Sequence, residues 1–450
     1  MSWNQFHSQS LERRLLASSC QSGKLSHYPP LQSAYINREF AIESCFVMPS
    51  TSPQPFVSPR SATQRDPIPM LDLTRQYETI KDDVHAAIER VLTTQHFIGG
   101  PELEGFERES ASYLGVSASV GCASGTDACW LALAAAGVGP DACVITTPFS
   151  FFASVSSIVR CGATPILADI DPATLNLDPK ATERALMRGR SYKFRAVMPV
   201  HLYGQCANMD KFASLAEHYD ASLVEDAAQA FGAKWRDKKA GALGKVAAFS
   251  FYPTKNLSAY GDGGCVTTND EELAAHVRRL RNHGSRQRYY HEEIGWNSRL
   301  DAMQAAVLRV KLKHIDDWNQ ARRMLARRYQ GLFINSGPVQ GGEQSVSAQA
   351  PIALLATMPE AYHIYHQYVV RAFRRDELRT FLTEQGIGTE IYYPVPLHLQ
   401  ECFTYLGYKA GDLPESERAS KEVLALPMFP ELREDEQQRV VAAIAEFYSR

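Results

Sequence analysis

A single lysine stands where a strand gives way to a glycine-rich loop. Phe249–Gly264 reads Phe-Ser-Phe-Tyr-Pro-Thr-Lys-Asn-Leu-Ser-Ala-Tyr-Gly-Asp-Gly-Gly. Val246–Phe251 has the apolar composition of a buried strand. Pro253 has no N–H to donate and ends regular pairing, and Lys255 follows it closely. A lysine held off a strand end among small and aromatic residues loses hydration. That loss lowers the ammonium's pKa and frees the amine to attack a carbonyl. The alternative is a surface lysine in a glycine-rich loop.

Other candidate groups precede it. Ala123-Ser124-Gly125-Thr126-Asp127 lies between a short apolar strand and an alanine-rich helix. Gly125 lets a ligand approach the backbone, and Ser124 or Thr126 can cap the helix, leaving free N–H groups at its positive end for a phosphate. An ordinary helix cap has the same residues. Glu225-Asp226 closes an apolar run, with Gln229 three residues on. A carboxylate buried there needs a cationic or hydrogen-bonding partner, unless it only caps a following helix. Gln229 shares the site if that turn is helical.

These groups need a frame, and the pattern supplies one. Asp72–Thr93 reads as an amphipathic helix and Glu102–Leu114 as a second short helix. Strands then alternate with helices: strands at Cys143–Thr147, Pro165–Ile170, Ala196–His201 and Ala221–Glu225, and helices at Phe151–Cys161, Pro179–Met187 and Asp210–Tyr219. Such repeats imply an α/β fold with a mostly parallel sheet covered on both faces. Ligands bind beyond the carboxyl ends of such strands, where Phe151, Asp226, Gln229 and Lys255 all fall. After the lysine loop, Cys265–Thr268 reads as a strand and Asp270–Leu280 as a helix. Leu300–Tyr329 reads as one long helix linking two domains. Tyr365–Ala372 and Gly388–Tyr393 are strand-like around a helix at Arg375–Gln385, and Arg433–Tyr448 is a terminal helix. The expected division is an extension over 1–66, a large domain over 67–320 and a small C-terminal α+β domain over 321–450.

Length alone, at 450 residues, points to more than one simple core. A formal net charge of −3 gives no reason to expect nucleic-acid or membrane binding, so an anionic ligand needs local positive groups. The nine cysteines are scattered, with no Cys-x-x-Cys pair and no metal-ligand spacing, which suits reduced thiols in the cytoplasm and no metal. Met1–Asp66 is rich in Ser, Pro and Gln and is expected to be a disordered extension, or to reflect a start codon placed too early, with Met48 as the later start. Its Leu15–Cys20 stretch lacks the apolar region of a secretory signal.

Together the groups match what pyridoxal 5′-phosphate requires: N–H groups and hydroxyls for its phosphate, a flat apolar neighbour for its ring, an anion for its pyridine nitrogen and a lysine for its aldehyde. The motifs around Ala123–Thr126, Thr147–Ser154, Pro199–Gly204, Glu225–Ala233, Phe249–Gly264, Gly295–Ala306 and Tyr392–His398 resemble the DegT/StrS-type sugar aminotransferases. The resemblance runs from about Pro67 to the C-terminus. It implies the fold-type I architecture of pyridoxal-phosphate enzymes, with a large domain and a small one. It also implies that Lys255 forms the covalent link to the cofactor and moves a proton between the cofactor and the substrate carbon, while Asp226 pairs with the pyridine nitrogen. Gln229 is placed near the phenolic oxygen and Phe151 on the ring. Gly125, Thr126 and Ser250 hold the phosphate. Asn297 reaches the neighbouring subunit's cofactor, which implies a homodimer with shared sites.

The resemblance further implies amination of a keto group of a nucleotide-linked sugar, with glutamate as donor, in amino-sugar and polysaccharide biosynthesis. Tyr289-Tyr290-His291 before Gly295–Asp301 looks most like members acting on 3-keto sugars. Tyr203, His291, Arg299, Tyr393 and His398 are the candidate substrate contacts, or are packed at the domain seam. Two other classes stay open: an aminotransferase of a cyclitol-type ketone, and a non-catalytic regulatory family member. Some relatives carry histidine in place of the lysine and catalyse dehydration; Lys255 argues against that here.

Overall fold

The computed structural model describes residues 66–188, 193–337, 339–341 and 346–450. The expected extension over Met1–Asp66 lies outside them except for its last residue.

The described residues begin with two helices, α1 (Leu73–Thr94) and α2 (Pro101–Leu114), each ending on a left-handed residue, Gln95 and Gly115. Strand β1 (Ala118–Cys122) then leads into α3 (Gly125–Ala135), and β2 (Cys143–Thr146) into α4 (Ala153–Arg160). The alternation continues through β3 (Thr164–Leu167), α5 (Pro179–Arg188), β4 (Phe194–Val197), α6 (Met209–His218) and β5 (Ser222–Asp226). A short hairpin, β6 (Lys234–Trp235) and β7 (Lys238–Lys239), precedes β8 (Val246–Ser250), β9 (Gly264–Thr268) and α7 (Glu271–Leu280).

Strands β1 to β5, β8 and β9 form one sheet in the order β1-β9-β8-β5-β4-β2-β3. β8, β5, β4, β2 and β3 run parallel, and β9 lies antiparallel between β8 and β1. Both faces are covered. Val144, Ala196, Val224, Ala248 and Val266 point into one apolar cluster, with α3 and α7. Their neighbours Ile145, Val197, Leu223, Ala247 and Cys265 point into the other, with α1, α2, α6 and later helices.

Past β9 the chain forms a small hairpin, β10 (Ser285–Gln287) and β11 (Tyr290–His291), then α8 (Ala302–Leu312) and α9 (Ile315–Ser336). The single long helix expected over Leu300–Tyr329 is thus two. No Gly or Pro marks the junction; there the backbone bonds tighten, Lys313 to Val310 and His314 to Lys311. Ile315 and Trp318 of α9 pack in the large core, and Leu325, Tyr329 and Phe333 pack in the smaller one.

The smaller core lies under a second sheet in the order β12 (Val339–Gly341), β13 (Ile352–Leu354), β15 (Tyr368–Ala372) and β16 (Val423–Leu426). The short β14 (Ala361–Tyr362) pairs with β6 instead. Helices α10 (Arg375–Glu384), α11 (Pro414–Glu422) and α12 (Glu434–Ser449) complete it. Gly388–Tyr393 is not the strand expected. Gly388 bonds back to Ile68, and only Glu390 meets Ala425 of β16, so its pairing is divided and no ladder forms. Among the described residues no helix is long and apolar enough to cross a membrane.

Candidate active site

The two carboxylates at the end of β5 face opposite sides of the sheet and have different environments. Glu225 is fully buried and accepts from the backbone N–H groups of Gly241, Leu243 and Gly244 at 2.7–2.9 Å, with His201 Nε2 at 2.9 Å. Its role is to hold the loop before β8. Asp226, 3 % exposed, has fewer partners. Ser154 Oγ donates to its Oδ2 at 2.6 Å, and the Ala228 N–H to its Oδ1 at 3.2 Å. Among the described residues no Arg, Lys or His forms an ion pair with Asp226. A carboxylate buried without an opposite charge is stabilised by any cationic group brought beside it.

Asp226 does not cap a helix, since Ala227–Ala230 is a plain turn. The helical turn on which Gln229 was to share the site is therefore absent, and Gln229 is fixed by other means. Its Oε1 accepts from the Tyr203 N–H at 2.6 Å, and its Nε2 donates to the Tyr393 hydroxyl at 3.1 Å. Tyr203 adopts a left-handed backbone (φ 58°), unusual for an aromatic residue, to aim that N–H.

Lys255 lies in the turn after β8, where its N–H bonds the Tyr252 carbonyl at 2.8 Å. The side chain keeps partial exposure, yet dense surroundings lower its amine from the ordinary 10.5 to about 8, and the attraction of Asp226 opposes that shift. Cys129 of α3 also faces Asp226, and burial pushes its thiol well up, so it stays protonated.

Gly125 opens α3, with Ser124 as its cap accepting from the Asp127 N–H at 3.1 Å. A Cβ on Gly125 would lie 2.4 Å from Ser250 Cβ. Only glycine lets the helix end approach the β8 serine. The N–H groups of Gly125 and Thr126 and the Ser250 hydroxyl therefore belong to one small region, at the positive end of α3.

Phe151 lies before α4 rather than within the helix expected from Phe151, and is 57 % exposed. Its ring centroid is 6.4 Å from that of Tyr393, which also meets Phe149 at 6.3 Å. The Tyr203 hydroxyl donates to the Tyr392 carbonyl, tying this wall together. A separate cavity of about 310 Å³ lies behind Tyr203, but Asp226, Gln229 and Lys255 do not line it.

The remaining candidates lie elsewhere. His398 is 1 % exposed and bonds Glu417 at 3.1 Å, so it is a packed side chain with no face toward an open cleft. His291 is exposed on β11 and bonds the His283 carbonyl at 2.8 Å. Arg299 donates to Asn282 Oδ1 at 3.2 Å. Asn297 and Arg299 line a cleft of about 290 Å³ with Ala123, next to the α3 entrance, and with Gln304.

Sequence reasoning missed Ser154 and Cys129. The Ser150-x-x-x-Ser154 spacing was the available signal, and the two hydroxyls meet at 2.7 Å.

The model of the DegT/DnrJ/EryC1/StrS aminotransferase family matches residues 78–445. The chain belongs to this family. It is 50 % identical over 384 residues to a Geobacillus stearothermophilus protein named pleiotropic regulatory protein, covering 85 % of this chain and 98 % of that one. It is 44 % identical over 395 residues to the dTDP-3-amino-3,4,6-trideoxy-alpha-D-glucose transaminase of Streptomyces venezuelae, covering 88 % and 99 %. The crystal structure of S. venezuelae DesV in complex with a ketimine intermediate superposes with a TM-score of 0.80 at 43 % identity, over 86 % of this chain and all of that one. The protein is an aminotransferase with the fold-type I architecture, in a family whose members depend on pyridoxal phosphate.

Proposed function

We propose that this aminotransferase carries pyridoxal phosphate on Lys255 and moves an amino group from glutamate to a keto group, at C3, of a nucleotide-linked sugar. Glutamate leaves as 2-oxoglutarate and the sugar leaves as its amine, so one amino group and one carbonyl oxygen change places. The observation that carries this reading is the placement of Lys255 in the turn after β8, the strand paired with the end of β5 that carries the buried Asp226. The name of the S. venezuelae transaminase, a 3-amino sugar nucleotide enzyme, supports the substrate class.

The residues present fit the cofactor. Bound pyridoxal phosphate supplies the aldehyde that takes the amino group and a ring that stores the electron pair. Asp226 meets the pyridine nitrogen and stabilises a proton there, while Ser154 and the Ala228 N–H orient its oxygens. The Lys255 Nζ, unprotonated in part near neutral pH, takes the proton from the donor's α-carbon and returns one to the sugar carbon. Gln229, oriented by Tyr203 and Tyr393, would serve the phenolic oxygen, and Phe151 would cover the ring. Gly125, Thr126 and Ser250 hold the phosphate. Tyr393, His291 and Arg299 are the proposed substrate contacts, while Tyr203, 2 % exposed with its hydroxyl on the Tyr392 carbonyl, positions Gln229. We assign His398 to packing instead.

Asn297 serves the cofactor of a second subunit, which makes the assembly a homodimer with shared sites, and the scattered thiols suit the cytoplasm. Tyr289, Tyr290 and Ile294 around the β10–β11 hairpin are 68–87 % exposed, which favours a partner there. A panel of keto-sugar nucleotides incubated with glutamate, read by mass for 2-oxoglutarate and amino sugar, tests the function. Turnover confined to a cyclitol ketone overturns the substrate, and no turnover of any ketone supports the regulatory reading instead.

A further inference from the structure

The segment after Lys255 is tied to two helices at every second residue. Leu257 and Ala259 are fully buried in the large core. Between and beside them, Asn256, Ser258 and Tyr260 reach the helix pair. Asn256 Nδ2 donates to Asn319 Oδ1 of α9 at 2.7 Å. Lys311 Nζ of α8 donates to Ser258 Oγ at 2.9 Å. The Tyr260 N–H donates to Gln304 Oε1 of α8 at 2.8 Å. The partners run backwards along the chain as the segment runs forwards, so the segment lies antiparallel to the helix pair with one rung per two residues.

The middle rung is anomalous. Lys311 is 1 % exposed, yet it forms no ion pair with a carboxylate among the described residues. Its partners are the Ser258 hydroxyl and the face of Tyr260, whose ring centroid lies 4.4 Å from Nζ. Burial lowers its amine to about 8, with no charged neighbour contributing. An ammonium buried without an opposite charge is expensive, and an apolar side chain of the same length fills the space without that expense. Packing alone does not account for a lysine here.

We propose that Lys311 is a positioning residue for Lys255: it draws Ser258 and the Tyr260 ring onto α8 and so fixes the segment that presents the Lys255 amine to Asp226. The proposal rests on Lys255 being the cofactor lysine. The rung at Gln304 extends the same support to the cleft lined by Asn297, so one helix braces both the lysine segment and the proposed subunit contact.

The test uses full-length Lys311→Met and Ser258→Ala proteins beside the parent. Four quantities are read: melting temperature; the pH midpoint of the bound cofactor's absorbance change; kcat and KM; and, after removal of the cofactor, the rate at which trinitrobenzenesulfonate labels Lys255, located by peptide mass. Lys311→Met is expected to melt at or above the parent temperature, because an uncompensated buried charge is gone. Its absorbance midpoint moves by about half a pH unit or more, Lys255 labelling shifts with it, and kcat falls about tenfold with KM little changed. Ser258→Ala leaves the ammonium without its acceptor and is expected to lower the melting temperature and to move the same midpoint.

A lower melting temperature with midpoint, labelling and kcat unchanged makes Lys311 structural only and overturns the proposal. So does a variant like the parent in every respect. If Lys311→Met fails to fold, Ser258→Ala decides by its midpoint and labelling alone. Borohydride reduction of the parent locates the cofactor lysine separately, so an error about Lys255 is told apart from an error about Lys311.

Discussion

Gly125 and Ser250 stand so close that a Cβ on the glycine would lie 2.4 Å from the Cβ of the serine. They are 125 residues apart in sequence and arrive from different elements, the α3 entrance and the end of β8. Their contact joins helix N–H groups to a strand-end hydroxyl, which is what a phosphate needs. Gly125→Ala is expected to raise the dissociation constant for pyridoxal phosphate at least about tenfold, or ~1.4 kcal/mol. Adding Ser250→Gly removes the two closest contacts but leaves the residue-250 Cα 3.0 Å away, so it is expected to restore melting temperature only in part and affinity not at all, since the hydroxyl is lost. Cofactor titration followed by absorbance checks both.

The Lys255 amine gives a pH dependence with a definite sign. Its folded value of about 8 lies below the ordinary 10.5, so the folded state binds fewer protons than the unfolded state between those values. Stability of the cofactor-free protein therefore rises with pH through that window. Lys311 carries a shift of the same sign, so Lys255→Met is expected to reduce the slope without abolishing it. Asp226 raises the amine by attraction, so Asp226→Asn is expected to lower the pH at which Lys255 becomes reactive. Denaturant unfolding from about pH 8 to 9.5 and amine labelling measure the two effects.

Phe151 has more than half its surface exposed, so its removal empties no core. Phe151→Ala is expected to change stability by less than about 0.5 kcal/mol while weakening cofactor binding several-fold. Thermal unfolding of the cofactor-free protein, set beside a binding titration, separates the two.

Much of the candidate site's placement was legible because its residues sit at strand ends, where pattern and chemistry coincide. Asp226 closes an apolar strand, and Lys255 follows a proline that stops one. The alternation that marks β2, β4, β5 and β8 also made the parallel sheet readable. Interruptions imposed by distant contacts were not. Lys313-His314 contains nothing that breaks a helix, yet α8 ends there. Gly388–Tyr393 has strand composition, but Ile68 takes one end of it and Ala425 the other. β16 has only four residues and follows α11 without a turn, so no local signal announced it. The Tyr392–His398 motif leaves His398 open between substrate contact and packing, and only the fold reveals Glu417 beside it.

Sharing of sites has its own test. Lys255→Ala and Asn297→Ala proteins are each expected to be inactive or nearly so. When they are mixed and allowed to exchange subunits, a mixed dimer carries both lesions in one site and leaves the other intact. Partial return of activity is the expected outcome. Demonstrated exchange with no return means that each site is built from one chain.

The role of Lys255 is open to direct chemical proof. Borohydride reduction of the yellow purified protein should abolish its absorbance and leave the cofactor fixed to one peptide. Mass mapping is expected to find that label on Lys255, within Phe249–Gly264, and nowhere else. Label on any other lysine, or none at all, contradicts the assignment.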